Sequence, residues 1–137
     1  MPDYDKIKQF RNTCAGFPRF MRVETTELGA GFATAVMPVR EELLNPQGAV
    51  HGGVLHTLAD EAVTSAAISH GQWVATISSD FHYLRAGLNT TSLTAQAHEL
   101  KYGKRACVYS VEIADQDGTV LACGTFTVAM LGRAIEL

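Results

Sequence analysis

The chain has 137 residues, of which 47% are apolar and 18% charged, and its net charge is −3. That length fits one domain, residues 1–137, with enough apolar side chains for a core, and the balance excludes a low-hydrophobicity, high-charge disordered chain. Basic residues form no run denser than the broken cluster Lys101, Lys104, Arg105, which argues against a nucleic-acid partner.

No window reaches the ~18 apolar residues of a membrane helix. The first residues, Met1-Pro2-Asp3-Tyr4-Asp5-Lys6, are acidic and polar where a signal peptide would be basic and then apolar. A cytoplasmic protein with no membrane partner is expected. Cys14, Cys107 and Cys123 are odd in number and lack a C-x-x-C pair. They read as small buried hydrophobes in a reducing compartment, with neither a disulfide framework nor a metal site.

In chain order, residues 3–14 read as a short amphipathic helix, with Ile7 and Phe10 spaced to pack and Asp3 or Asp5 suited to its first turn. Gly16, Phe17 and Pro18 stop it. A strand runs from Phe20 to Leu28, Gly29-Ala30-Gly31 turns the chain, and Phe32 to Val39 returns. Residues 40–50 form a loop with Asn45-Pro46 and Gly48, followed by His51-Gly52-Gly53. From Val54 to about His70 the sequence is alanine-rich and free of Gly and Pro, so one long helix is expected. Strands follow at Trp73–Leu84, Thr91–Lys101, Arg105–Ala114 and Val120–Met130, the sharpest hairpin signal being Asp117-Gly118. Helices do not alternate with strands, which excludes a βαβ fold and favours an α+β sheet curled round a central helix.

On a wheel of ~100° per residue, Leu55, Leu58, Ala59, Ala62, Val63 and Ala66 gather on one arc of the long helix. His56, Thr57, Asp60, Glu61 and Thr64 fall on the other. Aspartate is a mediocre residue for a helix interior, so Asp60 is the informative position. It is either solvent-facing, tied into a structural hydrogen bond, or a reactive acid. A sheet wrapped round the helix would make an unpaired charge expensive and would raise the pKa of the acid, sharpening it as a base. Thr64 is its i+4 neighbour. Glu61 points elsewhere and reads as structural or solvated.

At the approach to the helix, Gly52 and Gly53 lie where backbone N–H groups lack intrahelical partners and the dipole is positive. Glycine there permits close approach of a ligand, and such a terminus suits a developing oxyanion. His51 and Asn45 flank it. Other chemistries fail: there is no G-x-S-x-G elbow, no H-E-x-x-H zinc pair and no glycine-rich phosphate loop.

The run Asn45-Pro46-Gln47-Gly48-Ala49-Val50-His51-Gly52-Gly53, continuing to Leu58-Ala59-Asp60, resembles the signature of hotdog-fold acyl-CoA thioesterases of the phenylacetate-degradation (PaaI) type. Asp80-Phe81-His82-Tyr83-Leu84-Arg85-Ala86-Gly87 and the hairpin Gly103-Lys104-Arg105 are similar to later segments of that family, although Ala86 stands where relatives often carry proline. The likeness covers the chain from about residue 15.

The resemblance implies a long helix wrapped by an antiparallel sheet, acyl-CoA as substrate, no cofactor, and a homodimer, paired again into a homotetramer, with sites at the subunit interface. It implies Asp60 as the acid (nucleophile, or base for water), Gly52 as the oxyanion donor, Asn45 as the polar contact to the thioester carbonyl and Thr64 as the assisting hydroxyl. His51 and Gly53 fall within the substrate-binding motif. Thr76 or Ser78 matches a polar position on the strand facing the acid. Arg85, Lys104 and Arg105 are candidates for the phosphates of coenzyme A. A non-catalytic acyl-CoA-binding domain is the alternative, and a hotdog hydratase is disfavoured because His51 and Asp60 do not have its spacing. The acyl group, whether aryl, short or medium chain, is left open.

Overall fold

The computed structural model describes residues 2–137. The first helix, α1 (Tyr4–Thr13), is capped by Asp3, whose Oδ1 accepts from the Lys6 N–H at 3.1 Å. Ile7 is fully buried beneath it, against Ile68 and Ile135. A short second helix, α2 (Phe17–Phe20), occupies the stretch where a strand was expected to begin. α1 ends before Gly16-Phe17-Pro18, as expected, and Pro18 then sits in the first turn of α2, where its missing N–H costs nothing. The strand itself, β1, starts at Glu24 and runs to Gly29.

The rest follows the expected order: β2 (Phe32–Pro38), a 3₁₀ turn at Glu41–Leu43, the long helix α3 (Gly52–Ile68), then β3 (Gln72–Tyr83), β4 (Ser92–Tyr102), β5 (Ala106–Asp115) and β6 (Val120–Ala134). The six strands form one antiparallel sheet in the order β1-β2-β4-β5-β6-β3. It wraps α3, which meets all six strands. No helix among the described residues is long and apolar enough to cross a membrane. Cys14, Cys107 and Cys123 are free thiols.

The helix sits close to the sheet because both surfaces are small. Ala59, Ala62, Ala66 and Ala67 on α3 face Ala33 and Ala35 of β2 and Ala95 and Ala97 of β4, all with no exposed surface. Larger side chains fill the flanks, chiefly Leu58, Leu93, Tyr109, Ile113 and Phe126. The apolar arc read from the wheel is the buried face, and His56, Thr57, Asp60, Glu61 and Thr64 lie at its half-buried margin. A core packed to this density tolerates little added volume.

One irregularity decides which residues β3 presents to the helix. Thr76 pairs with Val128 on β6 and Ser78 with Thr127, so Ile77 is an extra residue in a β-bulge. A bulge resets the two-residue alternation of a strand. Thr76 before it, and Ser79, Phe81 and Tyr83 after it, therefore all turn to the same side, while Asp80 and His82 turn to the outer face.

Farther along the same pairing, Gly124 of β6 lies opposite Phe81. A Cβ at position 124 would meet the Asp80 carbonyl oxygen and the Phe81 ring, the latter at 2.9 Å. Backbone in a ladder cannot yield without losing its hydrogen bonds. Gly124→Ala is expected to destabilise the fold by roughly 1–3 kcal/mol, seen as a lower urea midpoint at unchanged slope. An unchanged midpoint would contradict this packing of β3 on β6.

Candidate active site

Helix α3 begins at Gly52, with His51 as its N-cap. The His51 Nδ1 accepts from the Gly53 N–H at 2.9 Å, and the His51 carbonyl accepts from Val54 and Leu55. Three of the first four helical donors are thereby satisfied. The fourth, the Gly52 N–H, has no partner among the described residues, so it is the free donor that the positive helix end supplies.

The preceding loop is built on Asn45. Its Oδ1 accepts from the N–H groups of Gln47 and Ala49, each at 3.0 Å, and its own N–H donates to the Ala49 carbonyl at 2.7 Å. The carboxamide oxygen is thus committed to the turn, which orients the Nδ2 donor; that group makes no hydrogen bond among the described residues. Asn45, Gly52, Tyr83 and Arg85 line one cleft of about 310 Å³. Two unoccupied donors at its wall can hold an acyl carbonyl oxygen.

Asp60 lies two turns farther along α3. Its Oδ1 accepts from the Thr76 hydroxyl on β3 at 2.6 Å, and its Oδ2 has no partner among the described residues. It is half-buried at the margin of the sheet, not enclosed within it. Burial raises the proton affinity of the neighbouring Glu61, against the opposing charge of Arg11 and helped by the charge of Asp60.

Thr64 does not meet the Asp60 carboxylate. Its hydroxyl donates to the Asp60 carbonyl at 2.9 Å and accepts from Arg11 Nη2 at 3.0 Å. The i+4 step brings it over the Asp60 backbone, and its hydroxyl turns back onto the helix as threonine commonly does. The hydroxyl on the acid is therefore that of Thr76.

Two further residues join the site, His56, which the sequence placed only on the polar arc of the helix, and Tyr83. His56, one turn before Asp60, has its Nε2 2.9 Å from the Ser79 hydroxyl, and its ring lies between Phe81 and Phe126. Tyr83 lies against Gly52, so that a Cβ there would be 3.1 Å from its ring. The signal that could have found His56 is spacing: Gly52, His56 and Asp60 follow at steps of four on one helix ridge.

The other expected contacts are placed apart. The Gly53 N–H is occupied by His51, and His51 serves the loop. Arg85 reaches the cleft, with its Nη1 donating to the Val120 carbonyl at 2.7 Å. Lys104 and Arg105 sit on the β4–β5 hairpin, where the Arg105 carbonyl accepts from Met130 and β6 pairs with the start of β3. That end of the sheet is remote from Tyr83 and the cleft, because β3 spans eight residues between Ala75 and Tyr83, or about 26 Å at strand rise.

The pattern of the thioesterase superfamily matches residues 47–122 of this chain, the segment that holds all of α3 and β3 and the lining of the cleft apart from Asn45. The acyl-coenzyme A thioesterase PaaI of Escherichia coli is 33% identical over 73% of this chain and 71% of its own length. The structure of the E. coli PaaI protein from the phenylacetic acid degradation operon superposes with a TM-score of 0.91, at 26% identity, over 97% of this chain and 96% of that one. A hypothetical thioesterase from Streptococcus pneumoniae, solved with coenzyme A, superposes at 0.77 with 32% identity over 82% of this chain and 88% of its own. The chain belongs to the thioesterase superfamily, as a hotdog-fold acyl-CoA thioesterase of the phenylacetate-degradation type.

The cap at the head of α3 can be tested separately from catalysis. His51→Ala removes the acceptor of the Gly53 N–H and is expected to cost about 1 kcal/mol of stability, read from chemical denaturation. A His51→Asn variant, which restores a capping acceptor, is expected to recover most of it; equal losses in both would show that the cap contributes nothing.

Proposed function

We propose that Asp60 carries the hydrolysis of acyl-CoA and that each active site is assembled from two chains: Asn45 and Gly52 from one, the acid from its partner. The observation that carries this reading is the length of helix between the half-sites. Eight residues separate the free Gly52 N–H from Asp60, about 12 Å along the axis. Carbonyl donors act at about 3 Å and an attacking group at 3–3.5 Å from the carbon. One chain cannot bring both to the same thioester.

The edges of the sheet support the pairing. The β1 edge is closed by Asn12, whose Nδ2 donates to the Thr25 carbonyl at 2.8 Å and whose Oδ1 accepts from the Thr25 N–H at 2.7 Å. Among the described residues no strand lies beside the β3 edge, and Ala75 to Asp80 are exposed, Ile77 at 59%. An open edge of this kind is a template for strand addition. Two copies joined antiparallel along β3 extend the sheet with two-fold symmetry. In that pair the Tyr83 end of one strand neighbours the Gln72 end of the other, and the partner's Lys104 and Arg105 approach the end that holds Arg85. This gives the phosphates of coenzyme A their cations. The assembly proposed is a homodimer that pairs again into a homotetramer, in the cytoplasm.

In the reaction, the thioester carbonyl oxygen accepts from the Gly52 N–H and from Asn45 Nδ2. The unpartnered Asp60 Oδ2 attacks the carbonyl carbon, or takes the proton of a water that does, while Thr76 fixes Oδ1. Collapse of the tetrahedral species expels the coenzyme A thiolate. By the first route the acyl–aspartyl anhydride is then hydrolysed by water; by the second the free acid forms directly. After a single turnover in isotopically labelled water, label in Asp60 marks the anhydride route, with water adding to the aspartyl carbonyl of the anhydride.

Asp60→Asn keeps the shape of the side chain and removes its charge. It is expected to lower the turnover of thiol release by at least about 10²–10³-fold, the scale of losing a group that acts in the transition state, with little change in melting. Undiminished turnover would end the assignment. Mixing refolded Asp60→Asn chains with Asn45→Ala chains tests the sharing. Each heterodimer then holds one intact site, so activity is expected to return to about a quarter of wild type under random pairing. No recovery would place donors and acid in one chain.

A further inference from the structure

We propose that Arg11, on the N-terminal helix α1, is a positioning residue for the Asp60 reaction: its guanidinium holds the turn of α3 that carries the acid and cancels the charge of Glu61 beside it. The inference rests on the assignment of Asp60 as the reacting acid. Its geometry stands on direct contacts. Arg11 Nη2 donates to Glu61 Oε2 at 2.7 Å and to the Thr64 hydroxyl at 3.0 Å, and Nε donates to the Ser65 hydroxyl at 2.9 Å. Those three acceptors are the residues one, four and five places after Asp60. A planar guanidinium reaching three of them fixes the rotation of that helical turn in a way a lysine could not.

The pair is sheltered, with 14% of the Arg11 and 18% of the Glu61 side-chain surface exposed, so the charges are screened less than on an open surface. Arg11 is also aimed from a fixed base. The next residue, Asn12, binds both backbone groups of Thr25, the Thr25 hydroxyl lies 3.2 Å from that of Ser65, and Ile7 is buried one turn earlier on α1.

Glu61 and Asp60 are adjacent carboxylates on one helix. The charge of Asp60 raises the proton affinity of Glu61, burial raises it more, and Arg11 opposes both. Arg11 thus sets a counter-charge against the carboxylate that stands next to Asp60 on the helix. The groups facing the two acids are Arg11 from α1, Thr76 from β3, Thr25 from β1 through Ser65, and Thr64, Ser65 and His56 from α3, the last held by Ser79. Among the described residues Arg11 is the one cation hydrogen-bonded to this cluster. Without it, the half-buried carboxylate next to Asp60 would stand without a counter-charge.

The test is the pH dependence of kcat/KM for acyl-CoA hydrolysis in full-length Arg11→Gln, Glu61→Gln and the double variant, with kcat and KM resolved and melting measured in parallel. Arg11→Gln is expected to move the acid limb upward by about one pH unit or more and to lower kcat near neutrality about tenfold, with KM little changed. Glu61→Gln leaves the Arg11 charge unopposed beside Asp60 and is expected to move the limb downward. The double variant returns it to the wild-type position. Should Arg11→Gln fail to fold, Glu61→Gln decides alone. A limb that stays in place in Glu61→Gln, or a double variant shifted as far as Arg11→Gln, would reduce Arg11 to a structural link and overturn the proposal. The reading beneath it fails by a different observation, an Asp60→Asn variant as active as wild type.

Discussion

Gly52, His56 and Asp60 lie at four-residue steps along one ridge of α3, and β3 runs antiparallel beneath them, offering Tyr83, Ser79 and Thr76 in turn. Each contact needs the helix at a fixed height above the sheet. The height is set by alanine meeting alanine in the core behind the ridge. Larger residues at Ala59 or Ala62 would lift the helix and pull the acid off the Thr76 hydroxyl, because packed interiors respond to added volume by shifting whole elements. The catalytic geometry is therefore a property of the small-residue core as much as of the polar side chains themselves.

The same helix separates its charges by giving them different neighbours. Glu61 turns toward α1, where Arg11 meets it in a sheltered pair, and Asp60 turns toward β3, where it receives one hydroxyl and keeps one free oxygen. Two adjacent carboxylates with such unlike surroundings are suited to unlike tasks. A structural pair ties the N-terminal helix to the turn that carries the acid, and the remaining carboxylate stays available for substrate.

Much of this was legible in the residues. The helical wheel divided α3 into its buried arc and its polar margin, and both divisions hold, because periodicity is the strongest local record of burial. The Gly52 terminus was legible because its donors are a consequence of any helix start. What was not legible is long-range. Whether Thr76 or Ser78 faces the acid depends on the bulge at Ile77, which nothing in the local run Ala75-Thr76-Ile77-Ser78-Ser79 announces, since it arises from the fit of β3 to β6. Thr64 was within reach of the acid by spacing, yet its hydroxyl is claimed by the helix backbone and by Arg11, fifty-three residues away in sequence. The end of α1 before Gly16-Phe17-Pro18 was legible, but the short helix that Pro18 then helps to open was not.

The two edges of the sheet differ in a way that bears on how the half-sites meet. Asn12 occupies both backbone groups of Thr25, so β1 is blunted against another strand, whereas β3, which flanks the proposed site, has no covering strand among the described residues. The proposed site and the proposed association therefore fall on one edge. A two-fold axis that brings Gly52 of one chain to Asp60 of the other also relates the reverse pair. It must pass nearest the residue midway between them, since positions summing to 112 face each other. That residue is His56. In such a dimer the two His56 rings, each held by its own Ser79 and flanked by Phe81 and Phe126, lie across the axis between the two sites. The polar ridge of α3 then runs unbroken from the donors of one site, past the paired histidines, to the acid of the other.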